Sequence, residues 1–169
     1  MTDDRSASSG WRIDEVVRQQ AIDELDLVHL RESGQLDRIT DFAAKLFDAP
    51  IALVSLVERE RQFFPGKTGL DADETPREVS FCQHAMLGTE IMVVPDATQD
   101  ARFADNALVT GDPDIRFYAG APLVSAEGVP LGALCVIDRM PREGMTDLQR
   151  QGLTVLADNV MALFRANRN

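Results

Sequence analysis

The sequence predicts an α+β domain built around an antiparallel sheet. Three observations lead there. Apolar residues recur at helical spacing at both ends of the chain. Between them lie short apolar runs rich in β-branched residues, with no regular alternation of strand and long helix that would signal parallel βαβ units. Two of those runs are joined by Ser125-Ala126-Glu127-Gly128-Val129-Pro130, a connection short enough for a hairpin.

The elements follow in order. Residues 1–10 are small and polar, cannot bury enough surface to order themselves, and read as a disordered tail, leaving 11–169 as a single domain. Ile13, Val16, Val17, Ala21, Leu25 and Val28 form the stripe of a first amphipathic helix. After Ser33-Gly34, Leu36, Ile39, Phe42, Ala43, Leu46 and Phe47 mark a second, stopped before Pro50. The run Ile51–Val57 is continuously apolar apart from Ser55, as a strand covered on both faces must be. Gln62-Phe63-Phe64 begins its hairpin partner, closed by Pro65-Gly66, and the chain to Arg77 reads as loop. Ser80-x-x-Gln83 has capping-box spacing and opens a short helix from Phe81 to Leu87. Ile91–Val94 is a strand ended by Pro95, and residues 96–114 are an irregular segment in which Asp96, Asp100, Asp105, Asp112 and Asp114 outnumber Arg102. Strands from Arg116 to Val124 and from Leu131 to Asp138 make the hairpin. Thr146-x-x-Gln149 then caps a long helix carrying Leu153, Leu156, Ala157, Val160, Leu163 and Phe164.

Composition narrows the function. There are 17 Lys and Arg against 28 Asp and Glu, a net charge of -11, and such a surface repels nucleic-acid backbones and anionic lipid. No basic leader precedes an apolar run, and no membrane-length apolar stretch occurs. Cys82 and Cys135, both among apolar neighbours, suit reduced thiols and a cytoplasmic location. Gly66-Lys67-Thr68 lacks the upstream glycine of a phosphate-binding loop, no Cys or His pair has zinc spacing, and the acidic segment lacks the calcium-loop signature, so no metal site is expected.

Five segments carry a resemblance. They are Arg77–Ala85 (REVSFCQHA), Val94–Ala97 (VPDA), Asp100–Asn106 (DARFADN), Ile115–Leu123 (IRFYAGAPL) and Leu131–Asp138 (LGALCVID). Together they resemble a GAF domain of the subgroup found as sensory modules in bacterial histidine kinases and diguanylate cyclases, across about Ala21 to Leu163. The resemblance implies a GAF/PAS-like twisted antiparallel sheet of five or six strands, with the terminal helices on one face and short helices and loops over a ligand cavity on the other. It implies a non-enzymatic, small-molecule-sensing module in signal transduction. No kinase, cyclase or phosphodiesterase sequence follows Phe164, so the chain reads as a stand-alone sensor or part of a larger protein. Two alternatives stay open: a thiol-dependent reductase of the methionine sulfoxide type, and a ligand-free dimerisation scaffold. Relatives that reduce free methionine sulfoxide use cysteines in a different surrounding motif. No cofactor is assigned.

The expected pocket lies between the 81–87 helix, the 96–114 segment and the strand bearing Tyr118. Its candidate polar contacts are His84, Arg102, Arg116 and Tyr118, and its apolar ones Phe64, Phe81 and Phe117. Alternation puts Phe117 and Tyr118 on opposite faces without saying which faces the pocket. The arginines favour an anionic or carbonyl-bearing ligand, unless they pair with neighbouring Asp residues. Cys82 and His84 point to different sides of a helix and do not make a dyad. Cys82 and Cys135 could meet across helix and sheet, although Cys135 lies in an apolar strand where a thiol is usually inert. A homodimer is expected through the first and last helices, with Val17 and Leu25, or Val160 and Phe164, at the seam.

Overall fold

The computed structural model describes residues 15–169; the predicted tail and Ile13 lie outside the described residues. Its centre is strand β1 (Ile51–Val57), every residue of which is buried. A β-branched, apolar run with no exposed face can only lie in the middle of a two-sided packing. β1 pairs antiparallel with β2 (Arg61–Thr68) on one side and with β6 (Pro130–Asp138) on the other. β3 (Glu74–Pro76), β4 (Met92–Val94) and β5 (Phe117–Val124) complete six strands in the order β3-β2-β1-β6-β5-β4.

Alternation along the strands feeds two apolar layers. Ala52, Val54, Leu56, Phe117, Ala119, Ala121, Leu134 and Val136 face the terminal helices. Ile51, Leu53, Phe64, Tyr118, Ala133, Cys135 and Ile137 face short helices and loops. Each aliphatic side chain fully buried this way contributes roughly 1.5–3 kcal/mol. Gly132 sets the closeness of β1 and β6: a Cβ there would meet the Ser55 carbonyl oxygen at 1.8 Å.

The helical layer holds α1 (15–23 of the described residues), α2 (Leu27–Ser33), α3 (Gln35–Phe47) and α6 (Asp147–Ala166). The first helix does not run through Val28 as its periodicity predicts. Asp26 breaks it: its side chain accepts from the His29 amide and caps α2, while its own amide donates to the Asn167 carbonyl, so the chain end bridges at the break. Val28 consequently sits on α2, 67% exposed, and Phe42 on α3 is exposed as well. At the other end, Thr146 and Gln149 form the full reciprocal capping box that their spacing predicts.

Other differences have local causes. Pro65-Gly66 does not close β2; Phe64 and Pro65 bulge opposite Ser55, and the strand continues to Thr68. Proline is accommodated because β3 pairs only with Arg61–Phe63, which leaves β2 an edge at Pro65. The stretch predicted as loop before Arg77 supplies β3. The 81–87 helix shrinks to α4 (Cys82–Ala85), and its capping box is half formed. The Ser80 hydroxyl accepts from the Gln83 amide, but the Gln83 side chain is drawn away to Arg77. The acidic segment contains a short helix, α5 (Ala107–Thr110), capped by Asn106. Three of the four residues expected at a dimer seam, Leu25, Val160 and Phe164, are spent inside the helix–sheet core, leaving Val17 exposed.

Arg18 ties α1 to the sheet. Its guanidinium, 2% exposed, donates to the carbonyls of Val57 at 2.6 Å and Pro130 at 3.0 Å, and to the Glu15 carboxylate at 2.7 Å. Burial pushes the Glu15 carboxyl up, but hydrogen bonds and charge from Arg18 and Arg77 outweigh it and hold it below the usual range. Arg18→Ala strands two carbonyls, so urea denaturation should show a loss on the order of 2 kcal/mol. An unchanged midpoint would mean that α1 is held by apolar packing alone.

Candidate functional site

The layer facing away from the terminal helices is covered by short pieces, and they do not close it. A cavity of about 110 Å³ remains, lined by residues that include Leu53, Phe64, Phe81, Cys82, Tyr118 and Cys135. Leu70, Ala72, Leu108 and Asp112 stand at its half-buried to exposed rim. Space exists here because the residues projecting from β5 and β6 include Gly120, Ala133 and Cys135, which are small.

Aromatic rings build one wall. Phe81 stacks on Phe103 with centroids 4.0 Å apart, and Tyr118 lies 5.2 Å from Phe81 at a tilt of 37°. Gly120 makes room for Tyr118, because a Cβ at position 120 would come within 2.3 Å of the Tyr118 hydroxyl.

The polar groups at this site form a buried chain. The Gln62 carbonyl Oε1 accepts from the Ser55 hydroxyl at 2.9 Å and the Ser80 hydroxyl at 2.7 Å, while its Nε2 donates to Thr75 Oγ1 at 2.7 Å. The Cys82 Sγ and Tyr118 hydroxyl are 3.0 Å apart. The neighbouring Cys135 thiol holds Cys82 below the usual thiol range, while Cys82 and burial push Cys135 well above it. Burial and the neighbouring Cys82 raise the Tyr118 phenol well above its ordinary value. The Tyr118 hydroxyl is thus bonded to the thiol of the pair that lies lower.

Of the residues predicted for the pocket, the structure brings Phe64, Phe81 and Tyr118 together at the cavity. Phe117 lies in the opposite layer, against Phe47 and beneath the Arg142 guanidinium. His84 is exposed, with its ring edge-on to Phe103 at 5.2 Å, and partial desolvation followed by the Arg102 charge lowers its pKa. Arg102 is bound to Asp100 at 2.8 Å and lies over Phe103; the pair raises the arginine and depresses the carboxyl. Arg116 donates to the carbonyls of Val109 and Ile115. None of these four lines the cavity. Gln62, Thr75, Leu70 and Asp112 do line it and were not singled out from the sequence. The one available signal was Gln62, an amide in the strand that follows the buried hydroxyl of Ser55. Among the described residues no cluster of three or more His, Cys, Asp or Glu could hold a metal ion, and no helix is long and apolar enough to cross a membrane.

A six-stranded antiparallel sheet with long terminal helices on one face and a cavity under short helices on the other defines an α+β domain of two unequal covering layers. The GAF domain model matches residues 33–163, and the chain belongs to that family. It is 45% identical over 156 residues to a cyclic di-GMP phosphodiesterase of Pseudomonas aeruginosa, covering 92% of this chain but only 27% of that protein. Among solved structures, it is similar to a type II free methionine-R-sulfoxide reductase from Thermoplasma acidophilum, with TM-score 0.64, 14% identity, and 82% and 97% of the two chains covered. It is also similar to the GAF domain of an Acinetobacter phosphoenolpyruvate-protein phosphotransferase, with TM-score 0.63, 14% identity, and 91% and 94% covered. At these identities the structural matches speak to the fold alone.

Tyr118 is the only tyrosine, so tyrosinate absorbance reads this site directly. Its raised value means that only the unfolded chain ionises near the ordinary phenol pKa of about 10; its contribution to stability is complete below that pH and falls away as pH rises further. No tyrosinate should form through that range while the fold persists. Gly120→Ala, which displaces the ring, should bring ionisation back toward about 10. Ordinary titration in the unmutated chain would show that Tyr118 is hydrated.

Proposed function

We propose that this GAF domain is a non-enzymatic sensory module that binds a small, largely apolar, uncharged molecule in the cavity beside Tyr118. The observation that carries the reading is the cavity's lining: carbon surface from Leu53, Phe64 and Phe81, a few hydrogen-bonding groups grouped around Tyr118 and Gln62, and no Lys or Arg. Ligand sites are characteristically apolar, with a few placed polar groups to orient the guest. An anionic ligand, which the arginines favoured in the sequence, loses support because Arg102 and Arg116 are occupied elsewhere. The volume suits a guest near the size of benzene or phenol, since an apolar cavity of roughly 150 Å³ accepts benzene.

The chain spans about 27% of its phosphodiesterase relative, and in such a context the module would set the activity of a cyclic di-GMP phosphodiesterase. Self-association remains part of this reading. Val17 and the exposed Val16 on α1, with Val155 on α6, replace the buried residues first considered for the seam.

Phenol or cyclohexanol should raise the melting temperature in a concentration-dependent way, whereas benzoate at the same concentration should not. Leu70→Trp, filling the cavity from its rim, should abolish the shift, and Tyr118→Phe should weaken phenol binding by about 1 kcal/mol. A shift that survives Leu70→Trp, or a stronger response to benzoate, would place the site elsewhere. Absence of any shift across small neutral compounds would favour the ligand-free scaffold. Sedimentation over a range of concentrations tests the dimer, with a monomer throughout removing it.

A further inference from the structure

We propose that Cys82 and Cys135 form a dithiol–disulfide couple in the cavity, oxidised by a small organic hydroperoxide that enters past Ala72 and Asp112. The proposal does not depend on the sensing reading: it concerns covalent chemistry of the cavity lining, whatever else the cavity holds.

Three observations converge. Both cysteines are free, buried and exposed to the same internal space. Cys82 begins α4 and Cys135 lies mid-strand in β6, paired with Gly120, the residue over which the Tyr118 hydroxyl folds, so one phenol marks the place where both thiols reach the cavity. The Tyr118 hydroxyl completes the group at 3.0 Å from Cys82 Sγ. Cysteines serving only as small hydrophobes have no need to line one cavity with a sulfur bonded to a phenol. The Tyr118 hydroxyl is bonded to Cys82, and this asymmetry assigns Cys82 as the nucleophile and Cys135 as its partner. The cavity, about 110 Å³, has several times the room that one water requires, and its carbon lining favours an alkyl hydroperoxide over hydrogen peroxide.

The chemistry balances. Cys82 sulfur attacks the terminal oxygen of the hydroperoxide, an S–O bond forms, and the O–O bond breaks. The leaving alkoxide takes up the proton that Cys82 gave up, relayed through the Tyr118 hydroxyl, and departs as the alcohol. Cys135 sulfur then attacks the Cys82 sulfur of the sulfenic acid; the S–S bond forms, the S–O bond breaks, and hydroxide leaves with the Cys135 proton as water. The peroxide is reduced by two electrons and the two thiols are oxidised by two. The product pins α4 to the central sheet across the cavity, and a thiol reductant reverses it.

The test treats the reduced protein with tert-butyl hydroperoxide or hydrogen peroxide, quenches it, and alkylates it in denaturant. Peptide mapping then follows. The expected result is loss of both alkylatable thiols, a linked peptide pair carrying Cys82 and Cys135 within one chain, and faster reaction with the alkyl hydroperoxide. Cys135→Ala should stop at a Cys82 sulfenic acid trapped by dimedone, and Cys82→Ala should leave Cys135 reduced. Tyr118→Phe should slow the first step by about 100-fold, the low end of a general-acid contribution. Retention of both thiols in the unmutated protein, or a disulfide between chains, overturns the proposal and needs no variant to fold. Equal oxidation of Cys135 in Cys82→Ala overturns the assigned roles. A protein that shows the phenol shift but stays reduced loses only this inference, and one that forms the disulfide without any shift loses only the sensing reading.

Discussion

The pairing of β1 with β6 is the constraint on which the rest depends. Ile51↔Ile137 through Leu56↔Gly132 bury both faces of both strands, so the chain must supply two separate apolar covers. One cover is made by long amphipathic helices, whose stripes are wide enough to seal a sheet. The other is assembled from pieces of three or four residues, each satisfied by its own cap: Ser80 before α4, Asp96 before the 97–99 turn, Asn106 before α5. Short helices cannot interlock as long ones do, and the mismatch leaves a cavity on that side.

The same constraint explains the buried polar chain. Ser55 is the one polar residue in β1 and it is fully buried, so its hydroxyl must find a partner without water. Gln62 on β2 supplies it, and Gln62 is itself held by Ser80 and Thr75. A hydroxyl placed in the central strand thus fixes where β3 and the entry to α4 must lie. Replacing one member leaves the others unsatisfied, at roughly 1–3 kcal/mol for each stranded group.

Much of the fold was legible because periodicity is a local property. The runs at Ile51–Val57 and Leu131–Asp138, the capping box at Thr146 and the hairpin loop at 125–130 each carry their own signal. The break at Asp26 was not legible, since Val28 continues the helical spacing and the partner that stabilises the break, Asn167, is at the far end of the chain. The site was legible by half. Alternation separates Phe117 from Tyr118 but cannot say which layer will be sealed by helices, so Phe117 was grouped with residues that face the other way. Arg102 and Asp100, two positions apart, carried the alternative that proved correct for that arginine: a neighbouring pair. Cys82 and Cys135 could be seen as able to meet, but only the register that sets Cys135 opposite Gly120, with Tyr118 folded over that glycine, puts the phenol beside Cys82.

The two apolar layers are coupled through the shared strand. Along β6, Cys135 and Ile137 face the cavity while Leu134 and Val136 press on the helical layer, so the two layers have no independent backbone between them. A close-packed interior transmits displacement because it cannot be compressed. Leu153, Val160 and Phe164 of α6 belong to the same core as Leu134 and Val136, so a displacement of β6 would reach them directly. Guest binding or cross-linking shifts the arrangement of α6 only to the extent that it favours one packing of that layer over another. The small residues around Tyr118 matter here too. Gly120, Ala133 and Cys135 line the cavity side of the strands, whereas Leu134 and Val136 of β6 pack on the helical layer, so a displacement of β6 at Cys135 moves residues that touch the terminal helices.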